Sequence, residues 1–189
     1  MSAGILEVDE IQSPDNLLVF EKPYHPSGYV VQTKYARTDV TAVFSAPAAL
    51  IGTVVTPLSI GFTPKYSNSK ILIEWMINGE FYHDAGFLIY QNGLPITTSN
   101  YEGQNRTNLT SSKYYYSVGK YDGANDNSTT PNNYYIQYNT ISSDTNYRSY
   151  DIAVRAYTAT SFNLNRCFTS PSASAEVGVS SVLIMEIKQ

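Results

Sequence analysis

Residues 62–77 read FTPKYSNSKILIEWMI. A turn cluster, Thr63-Pro64 and then Ser67-Asn68-Ser69, opens directly into a run with a two-residue period. Proline presets a turn torsion, and short Asn and Ser side chains hydrogen-bond to the nearby backbone, so the cluster marks a reversal. In an extended chain Ile71, Ile73, Trp75 and Ile77 fall on one face. Lys70, Glu74 and Asn78 mark the other, with Leu72 and Met76 between them. One face is wholly apolar and the opposite face partly so, which places this strand inside a packed sheet rather than at its edge.

The same alternation recurs on both sides of this stretch. Upstream, YVVQTKYAR from Tyr29, VTAVFS and GTVVTPLSIGF read as strands, with Pro57 marking an edge position or a bulge in the third. Downstream, FLIYQNGLPI carries Asn92-Gly93 between apolar flanks, a strong hairpin signal. KYYYSVG and NYYIQYNT bracket a polar loop over 121–132. In SYDIAVRAYTA, Tyr150, Ile152, Val154 and Ala156 oppose Asp151 and Arg155; FNLNRCF follows as another strand. The last run, VGVSSVLIMEIKQ, places Val179, Leu183, Met185 and Ile187 on one side and Val182 and Ile184 on the other, so it too is predicted to lie centrally. No capped 3.6-residue pattern of helical length occurs; ALIG after Ala46-Pro47 allows one short turn at most. Nine or ten strands without an internal repeat predict an all-β, two-sheet antiparallel sandwich or jelly roll.

Composition agrees. Tyr, Asn, Ser and Thr make up 70 of the 189 residues, favouring strands and turns over long helices. The length suits one domain plus an arm. A formal net charge of -4 with no Lys/Arg cluster argues against a nucleic-acid groove. No segment reaches the apolar length of a membrane span, and the acidic opening MSAGILEVDEIQ is read as no secretory leader. The lone Cys167 makes no intrachain disulfide and is expected to be a small buried hydrophobe. Residues 1–27 form the expected arm: Ile5, Leu6, Val8 and Ile11 in one short run, Leu17, Leu18, Val19 and Phe20 in a second, then a connector stiffened by Pro23 and Pro26. These runs are too apolar for a free tail, so the arm is expected to dock on another protein or on sister subunits; folding back on its own domain is the alternative. Residues 28–189 form the expected sandwich.

Catalytic signatures are missing from the sequence: no G-x-S-x-G elbow, no H-E-x-x-H and no glycine-rich phosphate loop. His83 and Asp84 are adjacent, so on a strand they point to opposite sides and form no orienting pair; His25 sits in the proline-bearing connector. Glu74, Glu80, Glu102 and Asp84 supply carboxylates with nothing to set their separation. The expectation is no enzyme, no cofactor and no metal. In the 121–132 loop, Asp122, Asn125, Asp126 and Asn127 are hard oxygen donors, but the calcium-loop spacing is absent. Tyr121, Tyr134 and Tyr135 could stack on a sugar with Asp122, Asn125 and Asp126 as hydroxyl partners; a plain solvated loop is the ordinary reading. The N-x-[ST] triplets at Asn105, Asn108 and Asn127 carry little weight in so Asn-, Ser- and Thr-rich a chain.

Three segments, GYVVQTKYARTD, LSIGFTPKYSNSKILIEWMI and SSVLIMEIKQ, resemble in order and spacing a group of tailed-bacteriophage virion proteins. The opening ILEVDEIQ is similar to the starts of cyanophage fibre-type proteins. The resemblance implies a jelly-roll domain of the tumour-necrosis-factor-like or complement-head-like kind, assembled as a homotrimer. It implies that the first and last strands lie side by side, so that the arm leaves one pole and loops occupy the other. It further implies a virion location, as a short tail or baseplate fibre or as a capsid decoration (head-fibre, cement) protein. Partners would be other virion proteins gripped by the arm and, through the outer loops, a host surface glycan; a free lectin-like module is the competing reading. Tyr114, Tyr115, Tyr116, Tyr134, Tyr135 and Tyr138 are the expected trimer-interface residues, because Tyr suits a boundary buried on one side and wet on the other; simple alternation of the tyrosines between core and surface of one strand is the alternative.

Overall fold

The computed structural model describes residues 27–48, 51–81, 85–96, 101–103, 115–118, 131–156, 158–167 and 177–189. Within these, the chain is an all-β sandwich of two antiparallel sheets. The strands, in chain order, are β1 (Val30–Thr38), β2 (Ala42–Ala46), β3 (Thr53–Val54), β4 (Ile60–Phe62), β5 (Lys70–Phe81), β6 (Ala85–Gln91) and β7 (Leu94–Pro95). They continue with β8 (Tyr101–Gly103), β9 (Tyr115–Val118), β10 (Asn132–Ile141), β11 (Arg148–Ala156), β12 (Thr160–Leu164) and β13 (Ser180–Ile187).

The first sheet runs β1-β13-β5-β10-β8, with β12 also pairing β5 and β2. The second runs β3-β11-β6-β7, with β4 on β11 and β9 on β6. The chain crosses between sheets from β4 to β5, from β5 to β6, and again on either side of β10 and β11. That is the winding of a jelly roll. β5 has the position its alternation demands: Ile71, Ile73, Trp75 and Ile77 are fully buried and face the second sheet, while Met76 opposite is 53% exposed. β13 is likewise internal, between β1 and β5. Val182 and Ile184 join one continuous core with Phe87, Ile89, Ile136, Ile152, Val154 and Phe162. Burying side chains of this size contributes about 2 kcal/mol each.

One expectation needs correction here. GTVVTPLSIGF is not one strand: β3 and β4 are separated by a 3-10 turn, Thr56–Leu58, with Pro57 inside it. Proline tolerates that position because the N–H it lacks would be unpaired there anyway. The turn is useful to the core, since the Leu58 carbonyl accepts the indole N–H of buried Trp75 at 3.2 Å. The Asn92-Gly93 signal is correct: both residues have positive φ, 52° and 75°, and they join β6 to β7.

β1 and β13 pair from Val30 opposite Ile187 to Thr38 opposite Ser180. The ladder continues past the strand ends, with Gly28 N donating to Lys188 O at 2.7 Å and Lys188 N to Tyr29 O at 2.9 Å. Gly28, the start of the domain, therefore lies beside residue 188. β5 starts at this pole, with Lys70 opposite Ile187, and ends at the other, where Gly79 lies opposite Asn132 at the start of β10. Twelve residues of strand set the poles about 36 Å apart.

Candidate functional site

The two outer faces of the sandwich differ. Behind the second sheet, Leu88, Tyr90 and Ala153 are buried with Val54 against them, and Asp151 and Arg155 are buried beside them. The outer face of the first sheet is open. Residues directly opposite in an antiparallel ladder share a face. Register puts Tyr35 beside Leu183 and Glu74, Met185 beside Leu72, and Met76 beside Tyr135. Leu72, Leu183 and Met185 are half-buried; Tyr35 is 61%, Met76 53% and Tyr135 49% exposed. The result is an apolar stripe across four strands with one carboxylate, Glu74, at its centre. Tyr135 Oη donates to Glu74 Oε1 at 2.6 Å, and Gln137 Nε2 donates to the same oxygen at 2.8 Å. Partial burial, then the hydrogen bond to Glu74 and its charge, push the Tyr135 phenol up to about 12, against the opposing pull of Gln137. Sequence alternation pointed to Leu72 and Met76 but not to this stripe, because the stripe exists only once β1, β13, β5 and β10 are side by side.

A second constellation lies at the pole that holds Gly28 and Lys188. Glu186 is fully buried on the inner face of β13. Its carboxylate accepts the backbone N–H of Lys65 (3.0 and 2.9 Å) and of Tyr66 (2.9 Å), the hydroxyl of Ser69 (2.7 Å) and the amide of Gln32 (2.7 Å). Gln32 Nε2 also reaches Thr63 O at 2.8 Å. The Ser142 hydroxyl donates to Tyr66 O at 2.8 Å, and the Lys188 ammonium sits 4.2 Å from the centre of the Tyr66 ring. Burial alone would raise the Glu186 pKa. The four donors outweigh it and hold the carboxyl below its ordinary range. This is a latch for the 63–69 loop, and both oxygens of the Glu186 carboxylate are engaged in it.

Of the six tyrosines expected at an interface, Tyr134 and Tyr138 need correction. They are 6% and 3% exposed in a single chain. Tyr134 packs against Phe81 and Phe87 at ring separations of 6.1 and 5.3 Å, and Tyr138 lies 6.4 Å from Tyr150. Both point inward between the sheets because β10 alternates, and of its three tyrosines only Tyr135 faces out. Tyr115 and Tyr116 lie on β9, opposite Leu88 and Phe87. Tyr114 lies outside the described residues, as do the arm residues Ile5 to Phe20 and the loop residues Tyr121, Asp122, Asn125 and Asp126. His25 and the His83-Asp84 pair also lie outside them. Cys167 is buried and takes part in no disulfide. Among the described residues no three His, Cys, Asp or Glu side chains stand close enough to share a metal ion, and no helix is long and apolar enough to cross a membrane.

No protein-family model matches the chain, and no curated protein matches it in sequence. Similar solved structures include the C-terminal domain of EclA, described as a sugar-binding protein. It is 7% identical over 85% of this chain and 89% of that one, with a TM-score of 0.35. Another is the BppUct-A-L tripod from the baseplate of bacteriophage Tuc2009, 10% identical over 100% of this chain and 79% of that one, with a TM-score of 0.25. At these scores neither likeness carries an argument about this chain.

Proposed function

We propose that the chain is a non-enzymatic structural component of a tailed-phage virion. In this reading it is a homotrimeric sandwich, held to the particle through residues 1–27 and serving as a short tail or baseplate fibre. Decoration of the capsid is the same part fixed at another place on the particle. The observation that carries this reading is the division of the domain into two poles. The chain enters beside residue 188, whereas Asn132, which ends the 121–132 loop, lies opposite Gly79 at the far end of β5. An anchor at one end and a polar loop at the other suit display on a surface. The apolar stripe on the first sheet supports self-association, because a contiguous exposed apolar patch marks a contact surface.

The test is the mass of the purified full chain by light scattering, together with its binding to a glycan array. Three copies of 21.0 kDa, about 63 kDa, are expected. A single-chain mass overturns the trimer. A single-chain mass combined with saturable glycan binding favours the lectin-like module instead.

A further inference from the structure

We infer that the free edge of β1 receives residues 5–11 of another copy's arm as an added parallel strand. The inference rests on the homo-oligomer and the docking arm proposed above and names what part of that arm grips. β1 is the last member of its sheet, and among the described residues it pairs only with β13. Nine residues of strand thus present an unpaired backbone edge, the feature that most readily takes up another strand. The neighbouring edge at β4 is closed differently. Lys34 Nζ donates to Gly61 O at 2.7 Å, and Gln32 Nε2 donates to Thr63 O, so two β1 side chains cross to it beneath the sheet. Nothing described crosses on the backbone side of β1, where Thr33, Lys34, Tyr35 and Arg37 are exposed.

Charge identifies the occupant. Five of the sixteen acids and one of the twelve bases lie in residues 1–27, leaving eleven of each in residues 28–189. The whole net charge of -4 therefore sits in the arm, on a domain that is itself neutral. β1 carries Lys34 and Arg37 and no acid. A parallel register sets Leu6, Val8 and Glu10 beside Thr33, Tyr35 and Arg37 on the outer face, and Glu7 beside Lys34 on the inner one. Both β1 cations then meet a carboxylate, and Leu6 and Val8 extend the apolar stripe past Tyr35. With Val8 still beside Tyr35, the antiparallel register places Leu6 beside Arg37 and keeps one ion pair. The parallel register also selects the donor. A chain's own arm would have to return along the full length of β1 through residues 12–29, with three prolines, as a crossover lying over the sheet. Another copy's arm meets no such demand, and Leu17, Leu18, Val19 and Phe20 remain for the particle.

The experiment co-expresses two differently tagged full-length chains, one carrying Val8→Cys and the other Tyr35→Cys, and oxidises the assembly with oxidised glutathione. Buried Cys167 stays out of the exchange. The expected result is a disulfide-linked dimer bearing both tags, absent when Tyr35→Cys is replaced by Val43→Cys on β2. Arg37→Glu should lower the yield several-fold, and Glu10→Arg on the other chain should restore it. In a parallel preparation with both substitutions on one chain, linkage within that chain, with none between the two tagged chains, overturns the exchange between copies. A trimeric mass with no linkage of either kind overturns the strand addition alone and leaves the trimer standing. A single-chain mass with no linkage overturns both.

Discussion

Glu186 shows how one side chain can organise a pole of the domain. It belongs to the same face as Val182 and Ile184, where the alternation of β13 calls for an apolar residue. A buried carboxylate is tolerated there because four donors converge on it, from Gln32, Lys65, Tyr66 and Ser69. Acceptor and donors together come from residues 28–39, 58–77 and 180–189, which the fold draws into one hydrogen-bonded node. The sequence placed Glu186 on the strand but not its partners, which are more than a hundred residues away. Because its folded pKa is depressed, its contribution is present at neutral pH, above the unfolded carboxyl's pKa, and is lost as pH falls through the depressed folded value. Glu186→Gln sets an amide against Lys65 N–H or Gln32 Nε2. We expect a loss of about 3 kcal/mol in chemical denaturation at pH 7. The difference from the parent should shrink as the pH is lowered below 4, and a difference that stays constant down to pH 2 contradicts the latch.

At the scale of elements, β5 and β13 were the most legible parts of the chain because each is apolar on both faces. β5 meets β13, β10 and β12, and β13 meets β1 and β5. Deleting residues 182–189 removes most of β13 and strands β1 without a partner. No soluble, cooperatively melting species is expected, and a sharp thermal transition in the truncated chain would remove β13 from the centre of the account. Short elements were less legible. β3 and β4 are too brief to show a period, and the 3-10 turn between them was hidden by a proline that also suits an edge strand. The tyrosine runs misled for a related reason. Tyr134, Tyr135 and Tyr138 look alike in composition, and only their parity on β10 separates two core residues from one surface residue.

The whole molecule is unequal on its two outer sides. The second sheet is covered behind Leu88 and Tyr90, whereas the first leaves a stripe from Tyr35 to Tyr135 facing out. The two-sheet fold could be read from alternation alone. The stripe could not, because it depends on which strands become neighbours, and those neighbours are contributed from both ends of the domain. Met76→Asp puts a second carboxylate within the stripe without touching the core. We expect stability to change by no more than about 0.5 kcal/mol. In the proposed trimer, the light-scattering mass should fall from three chains to one. A folded variant that keeps the parent mass removes this face from the assembly.

The pairing of β1 with β13 has a mechanical consequence. Tension applied between the residues preceding Gly28 and any point at the opposite pole runs along β1. In an antiparallel ladder the hydrogen bonds lie across the strands, so such a load acts on them in shear. The eight paired positions from Val30 to Thr38 must then give way together rather than peel one after another. A domain tethered by its leading peptide and tugged from its far end is thus loaded in the direction in which its first strand is hardest to extract.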